Sequence, residues 1–357
     1  MRGAAELLVV GIEGTRLAKS EAGLLARLRP GGIALVQRNV ATLAELRELV
    51  GEIRAAAPTS LLYLDGEGGR VDRLRSVLAP APAAADLARA PVDLARRAGR
   101  WMGEALAALG FDLDFAPVVD LDRGHAGNAL DRRCFGDSPR AVVARAGAFL
   151  AGLHAAGIGG CLKHFPGLGA ARADTHREGA PIELAAAELE RDLEPFRRLA
   201  AAAESIMIGH AIYPALDPER RPATLSRGIV RGIARQRLRF RGVIFSDDLE
   251  MGALAALPEL AERGAEALAA GCDGLLFCRR LEAAPEIAEK LQARARLRPR
   301  LAESRARVAR LRRRLHRLRA QRRRPPESPE RVALRLGELN ERLQRALQNG
   351  MSSSPTS

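Results

Sequence analysis

Aromatic residues make up only 3% of this 357-residue chain, with one Trp, two Tyr and nine Phe. An aromatic-rich core is therefore excluded, and the interior must be built mostly from Ala, Leu, Val and Ile, which the 47% hydrophobic content can supply. Apolar runs of the ~18–20 residues needed to span a bilayer are absent. The stretch Leu7-Leu8-Val9-Val10 is short and is ended by Gly11-Ile12-Glu13-Gly14 without a small-residue cleavage pattern, so it reads as a strand and not as a secretion signal. Cys134, Cys161, Cys272 and Cys278 form no CxxC pair and no disulfide framework, which predicts buried free thiols and a reducing, cytoplasmic compartment. Lysine is almost missing: Lys19, Lys163 and Lys290 stand alone among 57 basic residues. In so Arg-biased a chain a lysine marks a place where a compact ammonium suits the surroundings better than a planar fork.

The net charge of +14 is equally uneven. Arg294 to Arg324 holds 15 arginines and one acid, Glu303, leaving 42 basic and 42 acidic residues in the rest. The basic character thus belongs to one segment. Within it Leu297, Leu301, Val308, Leu311, Leu315 and Leu318 form an apolar stripe, as on an amphipathic helix. Arg324-Pro325-Pro326 ends it, and Ser328-Pro329-Glu330 starts a second helix whose apolar face is Leu336, Leu339, Leu343 and Leu347. Asn349 to Ser357 reads as a disordered tail. We expect the hairpin to pack on the rest of the chain and show its arginines to solvent; contact with nucleic acid or an anionic surface is the competing reading.

Upstream, short apolar runs alternate with Ala/Leu/Arg helical stretches, the pattern of βα units and a parallel sheet. Eight runs qualify as strands: Leu7–Gly11, Gly32–Gln37, Leu61–Leu64, Asp112–Ala116, Gly159–Lys163, Ser205–Gly209, Gly242–Phe245 and Gly274–Phe277. Eight units suggest an α/β fold of the (β/α)8 TIM-barrel type, in one catalytic domain over residues 1–322 with a C-terminal Arg-rich helical extension; residues 323–357 form a linker, a short amphipathic helix and the tail. Polar residues gather at the ends of these runs, at Asp65, Asp120, Lys163-His164, His210 and Asp247-Asp248. One such residue would be read as a helix cap. Five together indicate a site at the C-terminal mouth of a barrel.

Three segments carry chemistry. Lys163-His164-Phe165-Pro166-Gly167-Leu168-Gly169 is followed by Asp174-Thr175-His176. A carboxylate beside an imidazole fixes its tautomer and favours its charged form, so the dyad can give a proton to a leaving group and take one from water. Positioned on a Gly-rich loop, residues 166–178, it is expected to be ordered by substrate. In Phe245-Ser246-Asp247-Asp248-Leu249-Glu250-Met251 a strand runs into two carboxylates, one able to attack an electrophilic carbon and one able to cap the next helix. In Asp65-Gly66-Glu67-Gly68-Gly69-Arg70-Val71-Asp72-Arg73 a strand-end carboxylate precedes a glycine turn that lacks dinucleotide or P-loop spacing, and Asp65 and Arg73 suit sugar hydroxyls. The six histidines lack metal-ligand spacing, and no metal or cofactor is called for.

With F-A-P-V-V-D at Phe115–Asp120 and R-x-F-G at Arg133–Gly136, these motifs occur in order, and over roughly residues 5–320 the chain resembles glycoside hydrolase family 3, in particular its bacterial single-domain β-N-acetylglucosaminidases of peptidoglycan recycling. The resemblance implies Asp247 as nucleophile, His176 as acid/base supported by Asp174, and Asp65, Arg73, Arg133, Lys163 and His164 as the set that holds the N-acetylglucosamine hydroxyls and acetamido group. It implies a retaining exo-hydrolase of GlcNAc-1,6-anhydro-MurNAc peptides, monomeric and cytoplasmic, with muropeptides as small-molecule partners. Two alternatives stay open: a GlcNAc phosphorylase, since a neutral imidazole base admits an anionic nucleophile, and a non-catalytic binding protein using the basic helix. Three positions depart from the family pattern: Gly66 for Gln, Leu168 for His and Glu250 for Ser.

Overall fold

The computed structural model describes residues 2–125, 128–175, 177 and 179–352. Eight parallel strands close into a barrel: β1 (Leu8–Val10), β2 (Gly32–Leu35), β3 (Leu61–Leu64), β4 (Leu113–Asp114), β5 (Gly159–Phe165), β6 (Ser205–Ile208), β7 (Val243–Asp248) and β8 (Gly274–Phe277). Each expected run overlaps one of them, and β5 and β7 run on past the expected ends to Phe165 and Asp248. Leu8 pairs with Leu275 to close the ring, and Gly32 with Leu61 is typical of the neighbouring registers. The sequence reading had no strand after β3, where Gly66–Gly68 and Val71–Asp72 form a small antiparallel ribbon. Their glycines and charges mask any apolar alternation.

The outer helices follow from apolar spacing and from caps. Over Leu43–Ala56, Thr42 accepts the Glu45 N–H at 3.2 Å, and Leu46, Leu49, Val50 and Ile53 form the buried stripe. Burying each such side chain contributes about 1.5–3 kcal/mol relative to exposure. Three of the scarce aromatics meet inside the barrel. Tyr63 and Phe115 stack at 5.0 Å, and Phe245 meets both edge-on at 5.5 Å. Room for the rings comes from glycine on adjacent strands: a Cβ at Gly32 would lie 2.0 Å from the Tyr63 ring, and one at Gly274 2.3 Å from the Phe245 ring. Gly228–Arg237 winds as a π-helix that the periodicity did not suggest.

The arginine-rich helix, Arg298–Ala320, lies across the N-terminal end of the barrel, with Leu301, Val308, Leu311 and Leu315 buried beneath it. The expectation that its arginines face solvent holds only in part. Buried carboxylates wait just ahead of three strands. Asp273 is ringed by Arg235, Arg300 and Arg307. Glu204 receives Arg314 at 2.7 Å and His154 at 2.9 Å, and Asp112 receives Arg54 and Arg319. Each acid also accepts a strand N–H: Ile244 at 3.0 Å, Gly160 at 2.8 Å and Leu62 at 2.8 Å. Half of each interaction lies far away in sequence, which hid it from a reading of the helix alone.

The last helix, Pro329–Ser352, buries Val332, Leu336, Leu339 and Leu343, largely against the Val92–Ala108 helix. At 24 residues it is longer than the short helix read from the sequence, and its Asn340 side chain donates to Pro80 O at 2.9 Å. No described helix is long and apolar enough to cross a membrane. All four cysteines are buried and free.

Candidate active site

The C-terminal ends of β3, β4, β5 and β7 bring most of the expected residues to one mouth. Lys163, on β5, is buried and places its Nζ 2.7 Å from Asp65 Oδ1 and 2.6 Å from Glu67 Oε1. A compact ammonium between two carboxylates is the role that the rarity of lysine suggested. Arg133 closes the other side of Glu67 with a two-pronged pair, Nε and a terminal nitrogen each at 2.7 Å. Arg73 reaches Asp65 Oδ2 at 3.5 Å and is the looser, half-exposed member.

Burial alone would raise the pKa of Asp65 and of Glu67. Lys163 with Arg73 outweighs it at Asp65, Arg133 with Lys163 outweighs it at Glu67, and both carboxyls are held below their usual range. The pairs therefore stay ionised at neutral pH. A fixed lattice of charge-assisted donors and acceptors of this kind suits a polyhydroxylated ligand.

His164 faces the same wall. Its Nδ1 lies 2.8 Å from Asp120 Oδ2 and its Nε2 lies 3.4 Å from Arg133. Asp120 also accepts the Leu168 N–H at 2.7 Å and the His164 N–H at 3.1 Å, so one buried carboxylate sets both the imidazole and the following loop. This accounts for Leu168: the loop uses its backbone N–H, while its side chain is 4% exposed and joins the core. Peptide bonds Lys163-His164 and Phe165-Pro166 are both cis.

Asp247, one residue before the end of β7, is half-buried and accepts the Asp248 N–H at 2.8 Å on Oδ1. Asp248 does not cap the next helical turn, Gly252–Leu254, whose N-cap is Met251; it accepts Glu250 N–H at 3.1 Å and Cys278 N–H at 3.3 Å. Burial, with the nearby Glu250, outweighs those bonds and pushes it up to about 6. His210 packs alongside, with Nε2 2.9 Å from the Asp248 carbonyl and Nδ1 2.7 Å from Thr224 Oγ1. Glu250 accepts the Arg279 N–H at 2.6 Å and Arg280 Nε at 3.1 Å, which ties the segment after β7 to that after β8 and explains an acid at this position. Asp174 lies half-buried in the loop after β5; His176 lies outside the described residues.

Glu67 and Asp114 were not singled out as site residues, and Asp120 was placed at the mouth without a role. The signal was available for two of them. Glu67 and Asp120 fall inside conspicuous motifs, and buried Arg133 and Lys163 require counterions. Asp114 had none. Its Oδ1 accepts the Gly66 N–H at 2.8 Å, its Oδ2 is buried without a partner, and burial pushes its carboxyl well up. Gly66 is explained by the same contact, since a Cβ there would lie 2.7 Å from Met102 Sδ and 3.0 Å from Asp114 Oδ2.

The glycosyl hydrolase family 3 N-terminal domain matches residues 3–311. The β-hexosaminidase of Pseudomonas aeruginosa (strain LESB58) is 42% identical over 274 residues, 76% of this chain and 82% of its own length. That of Xanthomonas oryzae pv. oryzae is 40% identical over 301 residues, 80% of this chain and 86% of its own. Among solved structures, NagZ from Neisseria gonorrhoeae in complex with N-trifluoroacetyl-D-glucosamine superposes with a TM-score of 0.74 at 31% identity, covering 88% of this chain and 97% of that one. LpqI of M. tuberculosis gives 0.78 at 32% identity, covering 87% and 92%. A closed eight-stranded barrel, a polar mouth in the expected order and full-length relatives of one activity converge: this chain belongs to glycoside hydrolase family 3 and is a β-N-acetylhexosaminidase.

Proposed function

We propose that the chain is a retaining exo-β-N-acetylglucosaminidase that removes β-linked GlcNAc from peptidoglycan fragments, GlcNAc-1,6-anhydro-MurNAc peptides, in the cytoplasm. The observation that carries the reading is the buried Asp65–Lys163–Glu67–Arg133 lattice beside His164, at the same mouth as Asp247. A neutral sugar bearing an N-acyl group suits such a wall, and the Neisseria relative was crystallised with an N-acylated glucosamine. In this reading Asp65, Arg73, Arg133, Lys163 and His164 hold the hydroxyls and the acetamido group. Asp247 attacks C1 through an oxocarbenium-like transition state, and His176, supported by Asp174, protonates the glycosidic oxygen. The C1–O bond breaks, the leaving alcohol departs with the proton, and an ester joins Asp247 to C1. Neutral His176 then takes a proton from water as its oxygen attacks C1 and frees Asp247. Asp248, bound to backbone N–H groups, keeps β7 and β8 in place and does not react.

The test is release of nitrophenol from 4-nitrophenyl β-N-acetylglucosaminide by the wild type and by Asp247→Ala, with and without inorganic phosphate. Turnover that collapses at least a thousandfold in a folded variant, and GlcNAc as the product in phosphate, are expected. An Asp247→Ala variant that keeps wild-type activity refutes the nucleophile. Sugar 1-phosphate as the main product refutes the hydrolase. Turnover of GlcNAc-1,6-anhydro-MurNAc tripeptide no faster than that of chitobiose would remove the peptidoglycan assignment.

A further inference from the structure

At the barrel end opposite the mouth, a groove of about 1320 Å³ runs between the Arg298–Ala320 helix, the end of the Ala186–Leu199 helix and the segment entering β7. That exceeds the ~300–1,000 Å³ usual for a small-molecule pocket. Five exposed arginines line it, and none has an acidic partner among the described residues. Arg310, Arg313 and Arg317 lie on one face of the helix, and Arg239 and Arg241 stand on the segment before β7. The acid in its wall, Glu204, is buried and already bonded to Arg314, His154 and the Gly160 N–H. The inner arginines of this helix neutralise the carboxylates beneath the barrel, and these outer ones are the surplus.

We propose that this groove binds single-stranded RNA through its phosphate backbone. Guanidinium forks on two facing elements match the anionic oxygens of an extended phosphate chain. The lining of the groove favours an extended polyanion over a protein face or a bilayer. Among the described residues the exposed large apolar side chains are Val92 and Leu334, and neither lines the groove, so it offers no large exposed apolar side chain to anchor a protein partner or to insert into a bilayer. A concave wall also cannot lie on a flat lipid surface. The aromatic there, Phe240, is 4% exposed beneath Arg235, so bases have no stacking platform and recognition is independent of sequence. The inference does not rest on the glycosidase mechanism.

The experiment is fluorescence anisotropy of a labelled U20 RNA with the full chain, titrated at several salt concentrations. We expect binding in the micromolar range at low salt, with log K falling against log salt at a slope of about −3.5 if all five arginines meet phosphates. Arg310→Gln/Arg313→Gln/Arg317→Gln keeps helix-forming side chains. It should weaken binding at least tenfold and reduce the slope by about 2, with hexosaminidase activity unchanged. Arg239→Gln/Arg241→Gln, on a different element, should reduce it by about 1.4 and guards against misfolding of the triple variant. A control of equal charge loss outside the groove, Arg89→Gln/Arg140→Gln/Arg227→Gln, should bind nearly as the wild type does. The proposal is overturned if RNA does not bind at ~50 mM salt, if the groove variants bind like the control, or if phosphatidylglycerol vesicles bind the wild type and U20 RNA does not displace them.

Discussion

His164 is held between Asp120 and Arg133, with Nδ1 2.8 Å from the carboxylate and Nε2 3.4 Å from the guanidinium. A carboxylate accepts and a guanidinium only donates, so the proton sits on Nδ1 and Nε2 presents its lone pair. The ring is thereby fixed in orientation at the edge of the sugar-binding wall. Replacing Asp120 by Asn leaves one oxygen to serve three donors, the imidazole and the N–H groups of His164 and Leu168, and turns an NH2 towards either the imidazole N–H or the Leu168 N–H. Leaving a buried donor unpaired costs about 1–3 kcal/mol. Asp120→Asn should therefore lose tenfold to a hundredfold in kcat/KM for an aryl β-N-acetylglucosaminide. Wild-type kinetics in the variant would show that neither the tautomer nor the loop matters.

Gly66 and Asp114 are predicted to be coupled. In Gly66→Ala the new methyl meets Met102 Sδ at 2.7 Å and Asp114 Oδ2 at 3.0 Å inside the core. Overpacking of this kind costs about 1–3 kcal/mol. The melting temperature should fall and KM should rise, because Gly66 lies between Asp65 and Glu67. Asp114→Asn is expected to do neither: an amide still accepts the Gly66 N–H, and burial already disfavours the charged carboxylate. A thermal melt and a Michaelis curve decide both points. A strongly destabilised Asp114→Asn would mean that the acid is ionised in the folded chain.

Asp248 gives a pH signature. Its carboxyl ionises at about 6 in the fold and has an ordinary value of 3.8. The folded state holds this proton more tightly than the unfolded state. Its favourable contribution is thus full below about 4 and is lost as pH rises through about 6. Asp248→Asn removes that dependence and leaves an acceptor for the N–H groups of Glu250 and Cys278. Urea unfolding at pH 4.5 and pH 7 should show the variant gaining stability relative to wild type at the higher pH. An equal difference at both values would refute the shifted ionisation.

At the other end of the barrel, Asp273→Ala should damage the fold and spare the chemistry. The variant leaves Arg235 without a carboxylate, leaves Arg300 and Arg307 to share Glu303 alone, and unpairs the Ile244 N–H. Breaking a buried pair from one side costs about 3–5 kcal/mol. Denaturant unfolding should show that loss, and KM measured well below the melting temperature should stay near wild type. A changed KM with intact stability would contradict the separation of the two ends.

The barrel was legible in the sequence because a parallel strand buried on both faces must be an unbroken apolar run, and the runs beginning at Gly159 and Gly274 are such segments. The residues at their ends were legible for a related reason: a polar side chain at the close of an apolar strand has few places to go except the mouth. Asp65, Lys163, His164 and Asp247 announced themselves in this way. The sequence could also show that the charge of Arg294 to Arg324 sits on one helix with an apolar stripe. It could not show which arginines are spent. That depends on Asp112, Glu204 and Asp273, brought under the helix only when the ring closes. Pairing between residues far apart in the chain leaves no periodic trace, and neither does the packing that makes Gly66 necessary beside Met102 and Asp114. Local propensity and burial pattern wrote the barrel and its mouth into the sequence, while the partner of each buried charge was decided in three dimensions, because an uncompensated charge in the interior costs too much to remain unpaired.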